Sequence, residues 1–533
     1  MLLEIENLKI EAKTAEGWAP ILHGVDLRVD RGEVVGLIGE SGAGKSTLGL
    51  AAMGFAQPGL RFAGGHVRFE GTDLLRLSER QRRAFRGDRV AYVAQSAAAS
   101  FNPAWRLIDQ FCEGPAIHRS ADRATSEAFA RELYAKMHLP DPDHFGLRFP
   151  HQVSGGQLQR AMVAMAMACK PDLIVFDEPT TALDVTTQIG VLAAIRQAVE
   201  ATGTAGIYIT HDLAVVAQMA DRIKVMRHGS EVEEAPTRAM MAAPAADYTR
   251  SLWAVREFRR PERALDRGAT PALRIEGVTA GYGRQTVLRE VSFEVPRGAT
   301  VAVVGESGSG KSTTARVITG LLPPTAGSVA LDGALLPPRL DQRTPEQLRK
   351  MQMIYQMADT ALNPRQTIRQ ILSRPLGFYR GLSGRAREAR LHELMDEIEL
   401  APEKFLDRLP GELSGGQKQR IGIARALAAD PEFIICDEVT SALDQLVAEG
   451  ILRLLSRLQD ETGLSCLFIT HDLATVRAIA DDVVVMQGGR VIDSGAKGAV
   501  LDPPRADYTR KLLASVPQMD PDWLGRRIAE GAE

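Results

Sequence analysis

A long internal repeat constrains the fold of this chain more than any other feature of its sequence. "GESGAGKST" at 39–47 returns as "GESGSGKST" at 305–313, and "FDEPTTALD" at 176–184 returns as "CDEVTSALD" at 436–444. The offset of the first pair is slightly larger than that of the second, as a small insertion or deletion within one copy would cause. A period this long is typical of a duplicated domain, whereas solenoids repeat every few tens of residues. We therefore predict two homologous domains in tandem.

Short Val/Ile/Leu runs alternate with helical-period stretches inside each half, which predicts an α/β fold with a mainly parallel sheet. The charged, helical-period stretches 95–154 and 356–414 predict a helical subdomain inserted into each half. The segment between the two copies is rich in arginine and contains two prolines, which predicts a solvated linker. The expected parts are a first domain at 1–255, a linker at 256–272, a second domain at 273–517 and a C-terminal tail at 518–533.

Composition excludes several classes of protein. The net charge of −3 argues against bulk electrostatic binding to nucleic acid. The sequence contains no apolar run of about 18 residues, and its first residues lack the apolar core of a signal peptide, so we expect a cytosolic protein. The four cysteines have no metal-ligand spacing and are expected to be reduced thiols.

Each repeat contains a glycine-rich loop, Gly-x4-Gly-Lys-Ser, between a buried strand and an apolar helix. Backbone N–H groups of such a loop surround phosphate oxygens, and the helix N-terminus favours their negative charge. Lys45 and Lys311 are expected to reach the β- and γ-phosphates, and Ser46 and Ser312 to place a hydroxyl on Mg²⁺. The expected phosphate-binding residues are Gly39, Ser41, Gly42, Gly44, Lys45, Ser46 and Thr47 in the first copy, and Gly305, Ser307, Gly308, Gly310, Lys311, Ser312 and Thr313 in the second.

Paired carboxylates end a second buried strand in each repeat. Asp177 and Asp437 suit the Mg²⁺ shell as oxygen ligands. Glu178 and Glu438 are placed to orient or deprotonate an attacking water. The pair follows an "SGGQ" segment and precedes a histidine at the same distances in both copies, which favours a functional role over a solvated turn.

The histidines and two glutamines complete the predicted catalytic set. His211 and His471 follow a buried strand, where a neutral imidazole is expected to donate to the γ-phosphate and hold the water in line. Gln95 and Gln356 end short strands and are expected to bind Mg²⁺ or water through the side-chain carbonyl.

Two aromatic residues precede the glycine loops and are candidates for stacking on a nucleotide base. Tyr282 lies upstream of the second loop, and Trp18 lies at a comparable distance from the first. A tryptophan that packs within its own loop is the alternative for Trp18.

The ordered set of glycine loop, Gln, SGGQ, Asp-Glu, Asp and His resembles the nucleotide-binding subunits of ABC transporters, and the likeness covers nearly the whole chain. The Asn-Pro after each Gln, "SGGQxQR", and "ADYTR" near the end of each half are similar to the dipeptide, oligopeptide and nickel import ATPases. Two cassettes on one chain resemble the fused subunits of Yej-type peptide and microcin C importers, or of glutathione importers.

That resemblance implies two tandem P-loop ATPase cassettes that use ATP and Mg²⁺ and close head-to-tail, so that each SGGQ signature serves the glycine loop of the other cassette. It also implies that Asp184 and Asp444 lie at the interface and couple the sites. Because both copies keep every catalytic position, we expect two competent ATPase sites. The implied signature residues are Ser154, Gly155, Gly156 and Gln157 in the first copy, and Ser414, Gly415, Gly416 and Gln417 in the second.

A further implication is a peripheral motor on the cytoplasmic face of the bacterial inner membrane, with one copy per transporter. It is expected to energise a peptide importer through two integral-membrane permease subunits, which dock near Gln95, Gln356 and the Asn-Pro loops. An extracytoplasmic solute-binding protein is expected to act indirectly. Glutathione, nickel and a peptide antibiotic remain open as substrates.

Three rival functions fit the sequence less well. A ribosome-associated twin-cassette protein has a long charged helical linker, whereas the expected linker here, 256–272, is short. A DNA-repair or chromosome-type ATPase needs zinc cysteines or a coiled-coil insertion, and this sequence shows neither pattern. A regulatory nucleotide-binding module without turnover is opposed by the intact Glu and His pairs, and no nucleic-acid partner is expected.

Overall fold

The computed structural model describes residues 1–14, 16–180, 183–254, 259–260, 263, 265–441, 443–504 and 506–530. The chain folds into two compact units. The first contains the chain up to Ala254 together with the segment that begins at Ser515, and the second contains the chain between them. The polypeptide therefore leaves the first unit once and returns to it near the C-terminus.

The first unit contains two sheets. Its strands are β1 (Leu3–Thr14), β2 (Gly17–Val29), β3 (Val34–Ile38), β4 (Leu60–Phe69), β5 (Thr72–Asp73), β6 (Val90–Val93), β7 (Leu173–Asp177), β8 (Ala205–Ile209), β9 (Arg222–Arg227) and β10 (Ser230–Pro236). The larger sheet has the order β10-β9-β3-β8-β7-β6, and all its pairs are parallel except β9 with β10. Every residue of β3, β7 and β8 is buried, as expected for parallel strands covered on both faces.

Helices cover the larger sheet of the first unit and form its inserted subdomain. They are α1 (Lys45–Ala51), α2 (Glu79–Phe85), α3 (Ala97–Ser100), α4 (Leu107–His118), α5 (Arg123–Lys136), α6 (Pro142–Phe145), α7 (Gly155–Ala166), α8 (Val185–Thr202), α9 (Leu213–Met219), α10 (Thr237–Ala242) and α11 (Asp247–Ala254), with 3-10 turns at Leu74–Arg76 and Pro150–Gln152. Helices α3 to α7 follow β6 and precede β7. The predicted helical insertion between the two strands is thus confirmed.

The smaller sheet of the first unit is antiparallel, with the order β2-β1-β4-β5. Leu3, Ile5, Leu8 and Ile10 of β1 are buried in the hydrophobic core that this sheet shares with β3, β7 and β8. The sequence did not predict this sheet. It supplies one wall of the core beneath the glycine loop.

The second unit repeats this architecture. Its strands are β11 (Leu273–Tyr282), β12 (Gln285–Val295), β13 (Thr300–Val304), β14 (Ala326–Leu331), β15 (Ala334–Leu335), β16 (Met351–Ile354), β17 (Phe433–Asp437), β18 (Ser465–Ile469), β19 (Asp482–Gln487) and β20 (Arg490–Ala496). The larger sheet has the order β16-β17-β18-β13-β19-β20, and the smaller antiparallel sheet has the order β12-β11-β14-β15. The predicted α/β fold of two cassettes, each with a mainly parallel sheet, is confirmed.

The second unit's helices follow the same plan as those of the first. They are α12 (Lys311–Ile318), α13 (Pro345–Lys350), α14 (Ala358–Ala361), α15 (Ile368–Arg380), α16 (Gly384–Glu397), α17 (Pro402–Phe405), α18 (Gly415–Leu427), α19 (Gln445–Thr462), α20 (Leu473–Ile479), α21 (Lys497–Leu501) and α22 (Asp507–Ala514), with 3-10 turns at Leu340–Gln342 and Pro410–Glu412. Helices α14 to α18 form the insertion between β16 and β17. Within the described residues, no helix is long and apolar enough to cross a membrane.

The segment that follows α22 packs onto the first unit and ends in α23 (Trp523–Ala529). Trp523 and Leu524 are buried, and α23 packs against α8. The side chain of Gln218, on α9, donates to the carbonyl oxygens of Gln518 and Asp520 and accepts a hydrogen bond from the backbone N–H of Leu524 at 2.8 Å. The described part of the expected C-terminal tail is therefore a packed element of the first unit; residues 531–533 lie outside the described residues.

Part of the expected linker packs onto the second unit. Arg260 is 7% exposed, its backbone N–H donates to the carbonyl of Ala478 at 2.8 Å, and its guanidinium contacts Gln459. Arg267 forms a two-pronged ion pair with Asp482. The prediction of a solvated linker is wrong for Arg260, because hydrogen bonds to buried groups of the second unit hold it in place. Residues 256–258, 261, 262 and 264 lie outside the described residues.

Candidate functional site

The sheet order brings the predicted catalytic residues of the first unit to one edge. Strands β6, β7, β8 and β3 are neighbours and run parallel, so the segments that follow their carboxyl ends meet at the same edge of the sheet. Gln95 follows β6, Asp177 ends β7, His211 follows β8 and the glycine loop follows β3. Four segments distant in sequence thus converge on one site.

The lysine of the first glycine loop forms hydrogen bonds back to the backbone of the same loop. The Nζ atom of Lys45 donates to the carbonyl oxygens of Gly39 at 2.7 Å and Glu40 at 2.9 Å, and Lys45 is 7% exposed. Gly39 has φ +145°, and a Cβ added there would lie 2.0 Å from the carbonyl oxygen of Met226. Only glycine fits this position, because a larger residue would displace the loop from β9.

Several of the remaining loop residues are exposed. Ser41, Gly42 and Ser46 are exposed, Thr47 is half-buried, and Gly44 begins α1 with a left-handed backbone. The second loop matches: Ser307, Gly308 and Ser312 are exposed, Thr313 is half-buried and Gly310 begins α12. Lys311 donates to the carbonyls of Gly305 and Glu306 at 2.8 and 2.9 Å. Both loops therefore present hydroxyls and backbone N–H groups on an open rim.

Asp177 lies beneath the first loop. It is 7% exposed and accepts hydrogen bonds from the hydroxyls of Ser46 at 2.9 Å and Tyr92 at 2.6 Å. Burial raises the pKa of Asp177, and the two hydroxyl hydrogen bonds offset part of that rise. In the second unit, burial likewise raises the pKa of Asp437, which accepts from Ser312 at 3.1 Å.

Glu178 connects the glutamine and the histidine of the first site. It accepts from Gln95 Nε2 at 3.1 Å, and His211 Nδ1 lies 3.2 Å from its other carboxylate oxygen. Burial opposes the charged imidazole, but the hydrogen bond and the charge of Glu178 outweigh burial and raise the pKa of His211. Glu178 has φ +48°, an uncommon backbone conformation for a residue with a side chain, and its N–H donates to the carbonyl of Ile209.

The second site repeats this arrangement. Gln356 donates to Glu438 at 2.7 Å, and His471 Nδ1 lies 3.5 Å from Glu438 Oε1. The hydrogen bond from His471 lowers the pKa of Glu438, although burial opposes it. Glu438 also has a positive φ, +50°. Each unit therefore presents a carboxylate flanked by an amide and an imidazole.

The donor set fits Mg²⁺. Among the described residues, no three or more His, Cys, Asp or Glu side chains cluster as a closed metal cage. Mg²⁺ is typically held by one or two carboxylates, with waters and substrate phosphates completing its shell. A buried aspartate with a serine hydroxyl beside it supplies such oxygen ligands, and Gln95 or Gln356 lies close by, hydrogen-bonded to the glutamate that follows the aspartate.

The two SGGQ segments begin α7 and α18. In each, the serine hydroxyl accepts from the glutamine N–H, and the glutamine Oε1 accepts from the serine N–H, which forms a capping box. Gly155 and Gly415 hold the first helical position, whose N–H has no partner within a helix. A Cβ added at Gly156 would lie 2.1 Å from Thr187 Cγ2, and one at Gly416 would lie 2.3 Å from Val447 Cγ1, so close helix packing also requires these glycines.

Asp184 and Asp444 cap the helices that follow. Asp184 accepts from the N–H of Thr187, and Asp444 accepts from the N–H of Val447, both at 3.0 Å. This local role accounts for an aspartate at both positions. Their coupling across an interface stays a prediction.

The two aromatic candidates differ in their surroundings. Tyr282 ends β11, is 44% exposed, and its hydroxyl accepts from Arg316 on α12 at 2.9 Å. Trp18 lies on β2, and the guanidinium of Arg61 stacks on its ring at 4.2 Å. One face of Trp18 is thus already covered. Stacking on a base stays a prediction for both.

One residue of the site was missed from the sequence. In the sequence, Tyr92 is one residue of the apolar strand before Gln95, yet in the structure its hydroxyl donates to Asp177. Nothing in the composition of the strand shows that it lies next to β7. Only the sheet register places it there.

Comparison with known proteins identifies the family. The family model described as "ABC transporter" matches residues 22–181 and 288–441. The glutathione import ATP-binding protein GsiA of Escherichia coli (strain K12) and that of Shigella dysenteriae serotype 1 are each 36% identical over 572 aligned positions, covering 98% of this chain and 90% of the relative. A solved ATP-binding subunit of an ABC transporter is 30% identical over 46% of this chain and 99% of its own, with a TM-score of 0.40.

The family matches cover both repeats, and each contains the glycine loop and the Asp-Glu pair described above. ATP and Mg²⁺ are the cofactors of such cassettes, and hydrolysis of ATP is their reaction. The chain therefore belongs to the ABC transporter family, as an ATP-hydrolysing, ATP-binding protein with two cassettes.

Proposed function

We propose that this chain energises an importer for peptides or peptide-like substrates, with one cassette in each compact unit. The observation that carries the proposal is the likeness over 98% of the chain to proteins named for glutathione import, glutathione being a tripeptide. The duplicated Gln–Glu–His arrangement supports two hydrolytic sites. Substrate itself is expected to contact the membrane and binding-protein subunits.

In the proposed mechanism, the residues of each site have separate tasks. The glycine loop and Lys45 or Lys311 bind the phosphates, while Ser46 with Asp177, or Ser312 with Asp437, holds the magnesium. Glu178 or Glu438 orients the attacking water and accepts its proton. When the metal is bound, it neutralises charge that develops on the transferred phosphoryl oxygens.

The histidine holds the glutamate. His211 and His471 each lie within hydrogen-bond distance of the catalytic carboxylate, and Glu178 and Glu438 raise the pKa of their histidines against the effect of burial. A histidine whose Nδ1 faces the glutamate presents Nε2 to the other side. That nitrogen is available to donate to the γ-phosphate.

Each SGGQ segment completes the site of the opposite cassette in this proposal. The first-turn N–H groups of α7 and α18 point out of a capped helix N-terminus and can bind γ-phosphate oxygens. Nucleotide then favours the closed state, because these contacts form only when the cassettes join. Asp184 and Asp444 are proposed to couple the two sites at that interface.

The proposed partners are two integral-membrane permease subunits, with an extracytoplasmic solute-binding protein acting through them. Exposed apolar side chains lie on both helical subdomains, which follow Gln95 and Gln356 in the chain. Ile117 is 68% exposed in the first, and Phe378 is 67% and Met357 56% exposed in the second. Such surfaces suit contact with permease helices. We place the chain on the cytoplasmic face of the membrane, with one chain per transporter. No nucleic-acid partner is proposed.

The test uses the whole chain with its permeases in proteoliposomes. Glu178→Gln and Glu438→Gln, made singly, are expected to slow ATP hydrolysis and uptake of labelled glutathione or oligopeptide by at least tenfold. Near-normal ATP turnover in either variant contradicts the proposal that both ATPase sites are required. ATP hydrolysis without uptake of any peptide contradicts the import proposal alone.

Reciprocal completion needs its own experiment. With 8-azido-ATP and vanadate, Ser414→Ala should reduce labelling of the first half, and Ser154→Ala should reduce labelling of the second. The two variants remove equivalent helix caps and so serve as each other's control. Loss of labelling in the same half as the substitution overturns the head-to-tail arrangement.

A further inference from the structure

The two metal-binding aspartates have different hydrogen-bond partners. Asp177 accepts from Ser46 through Oδ1 and from Tyr92 through Oδ2. Across the part of the second unit that the structure describes, Asp437 accepts one side-chain hydrogen bond, from Ser312. The duplicated sites are therefore unequal at the carboxylate that would bind the cation.

Sheet register shows that this difference comes from one substitution between the repeats. Tyr92 of β6 pairs with Val175 of β7, and Met353 of β16 pairs with Ile435 of β17. Val175 and Ile435 each lie two positions before the aspartate. Met353 thus occupies the position of Tyr92, and its thioether has no hydrogen to donate to Asp437.

We propose that Tyr92 is a positioning residue for the magnesium ligand, and that it makes the first site bind divalent cation more tightly than the second. This inference rests on the proposed ATPase sites. The Tyr92 hydroxyl donates to Oδ2 while Ser46 donates to Oδ1, so hydrogen bonds to both oxygens hold the plane of the Asp177 carboxylate before a cation would bind. Asp437 must lose side-chain freedom when the cation binds, which costs affinity.

The expected size follows from the behaviour of such partners in other metal sites. Removing a residue that hydrogen-bonds a metal ligand typically lowers metal affinity by about 10- to 100-fold. A single hydrogen bond from a neutral phenol to one carboxylate oxygen belongs at the lower end of that range. The two sites are therefore expected to differ by roughly tenfold.

Mn²⁺ is the probe, because its bound and free forms are distinguished by electron paramagnetic resonance. The full-length protein is titrated with Mn²⁺ in the presence of AMP-PNP, which is not hydrolysed. Two binding classes about tenfold apart are expected, and Tyr92→Phe should merge them into one weaker class. Lys311→Ala, which weakens nucleotide binding at the second site, identifies the tight class as the first.

Two controls separate positioning from folding. Tyr134→Phe removes the hydroxyl of a buried tyrosine in the same cassette, whose ring packs against Phe111 and Phe145, and should leave both classes unchanged. Tyr92→Phe keeps the ring and should bind AMP-PNP without metal as the unaltered protein does. Met353→Tyr, which introduces a hydroxyl at the matching position of the second copy, is expected to raise the Mn²⁺ affinity of the weaker binding class.

The inference is overturned if both sites of the unaltered protein bind Mn²⁺ with the same affinity, or if Tyr92→Phe leaves two unequal affinities unchanged. Either result leaves the ATPase proposal intact. Absence of any nucleotide-dependent Mn²⁺ binding contradicts the ATPase proposal itself. The outcomes are distinguishable, because nucleotide binding is measured in the same titration.

Discussion

Replacing Gln218 by alanine tests whether the C-terminal segment is a structural part of the first cassette. Gln218 is 3% exposed and lies on α9, the helix that begins directly after His211 and Asp212. Its amide forms three hydrogen bonds to the backbone of the segment that contains α23. Gln218→Ala removes all three without touching the glycine loop or the Asp-Glu pair.

The magnitude follows from which backbone groups lose a partner. The N–H of Leu524 is buried and cannot reach water, so leaving it unpaired costs about 1–3 kcal/mol. The carbonyls of Gln518 and Asp520 belong to exposed and half-buried residues that water can reach, and each costs about 0.5–1 kcal/mol. The total is about 3 kcal/mol. For a unit of this size, it corresponds to a fall of roughly 6–12 °C in the melting temperature.

Differential scanning calorimetry of the nucleotide-free protein measures that shift, and hydrogen exchange locates it. Exchange at α23 should become faster in Gln218→Ala. Arg238→Ala is the matched control: Arg238 pairs with Asp522 of the same segment, but both side chains are more than half exposed, and such pairs contribute little. A melting temperature for Gln218→Ala no lower than that of Arg238→Ala refutes the packing argument.

Two further predictions concern the first ATP site. Gly39→Ala should abolish ATP binding, because the added Cβ would meet the Met226 carbonyl. Gly42→Ala should only weaken binding, because Gly42 has open space around it and only its backbone, at φ +82°, disfavours alanine. Equal effects of the two variants in an ATP-binding assay contradict the steric argument. Because Glu178 raises the pKa of His211, Glu178→Gln should lower that pKa, as measured by NMR. The pair stabilises the fold below the ordinary histidine pKa of about 6.5 and ceases to do so as pH rises through the raised pKa of His211. The loss of melting temperature in Glu178→Gln should therefore shrink as pH rises from below about 6.5 through that raised pKa, and a pH-independent loss argues against the ion pair.

The sequence indicated that these candidate residues lie together, because each of them ends or follows a buried strand. The apolar runs that lead to Gly39, Gln95, Asp177 and His211 are typical of neighbouring parallel strands, and parallel strands place their ends together. The chemistry of those residues then indicated phosphate and magnesium. Each of these residues has a counterpart at the matching position of the other repeat.

The features that the sequence did not predict depend on long-range register. The antiparallel sheet begins with β1, whose alternating residues could pair with any strand of similar pattern. Tyr92 reaches Asp177 only because β6 pairs with β7 in one register. Arg260 was expected in solvent, since an arginine-rich segment gives no indication of which buried carbonyl it will meet.

The return of the chain to its first unit has a consequence for biosynthesis. Ala254 ends the first continuous part of the N-terminal cassette, but the helix that covers α8 is made only after the whole second unit has been translated. At about 5–20 residues per second, that interval lasts roughly 15–55 s. Until α23 emerges from the ribosome, the nascent N-terminal cassette exposes the apolar surface of α8 that Trp523 and Leu524 later cover.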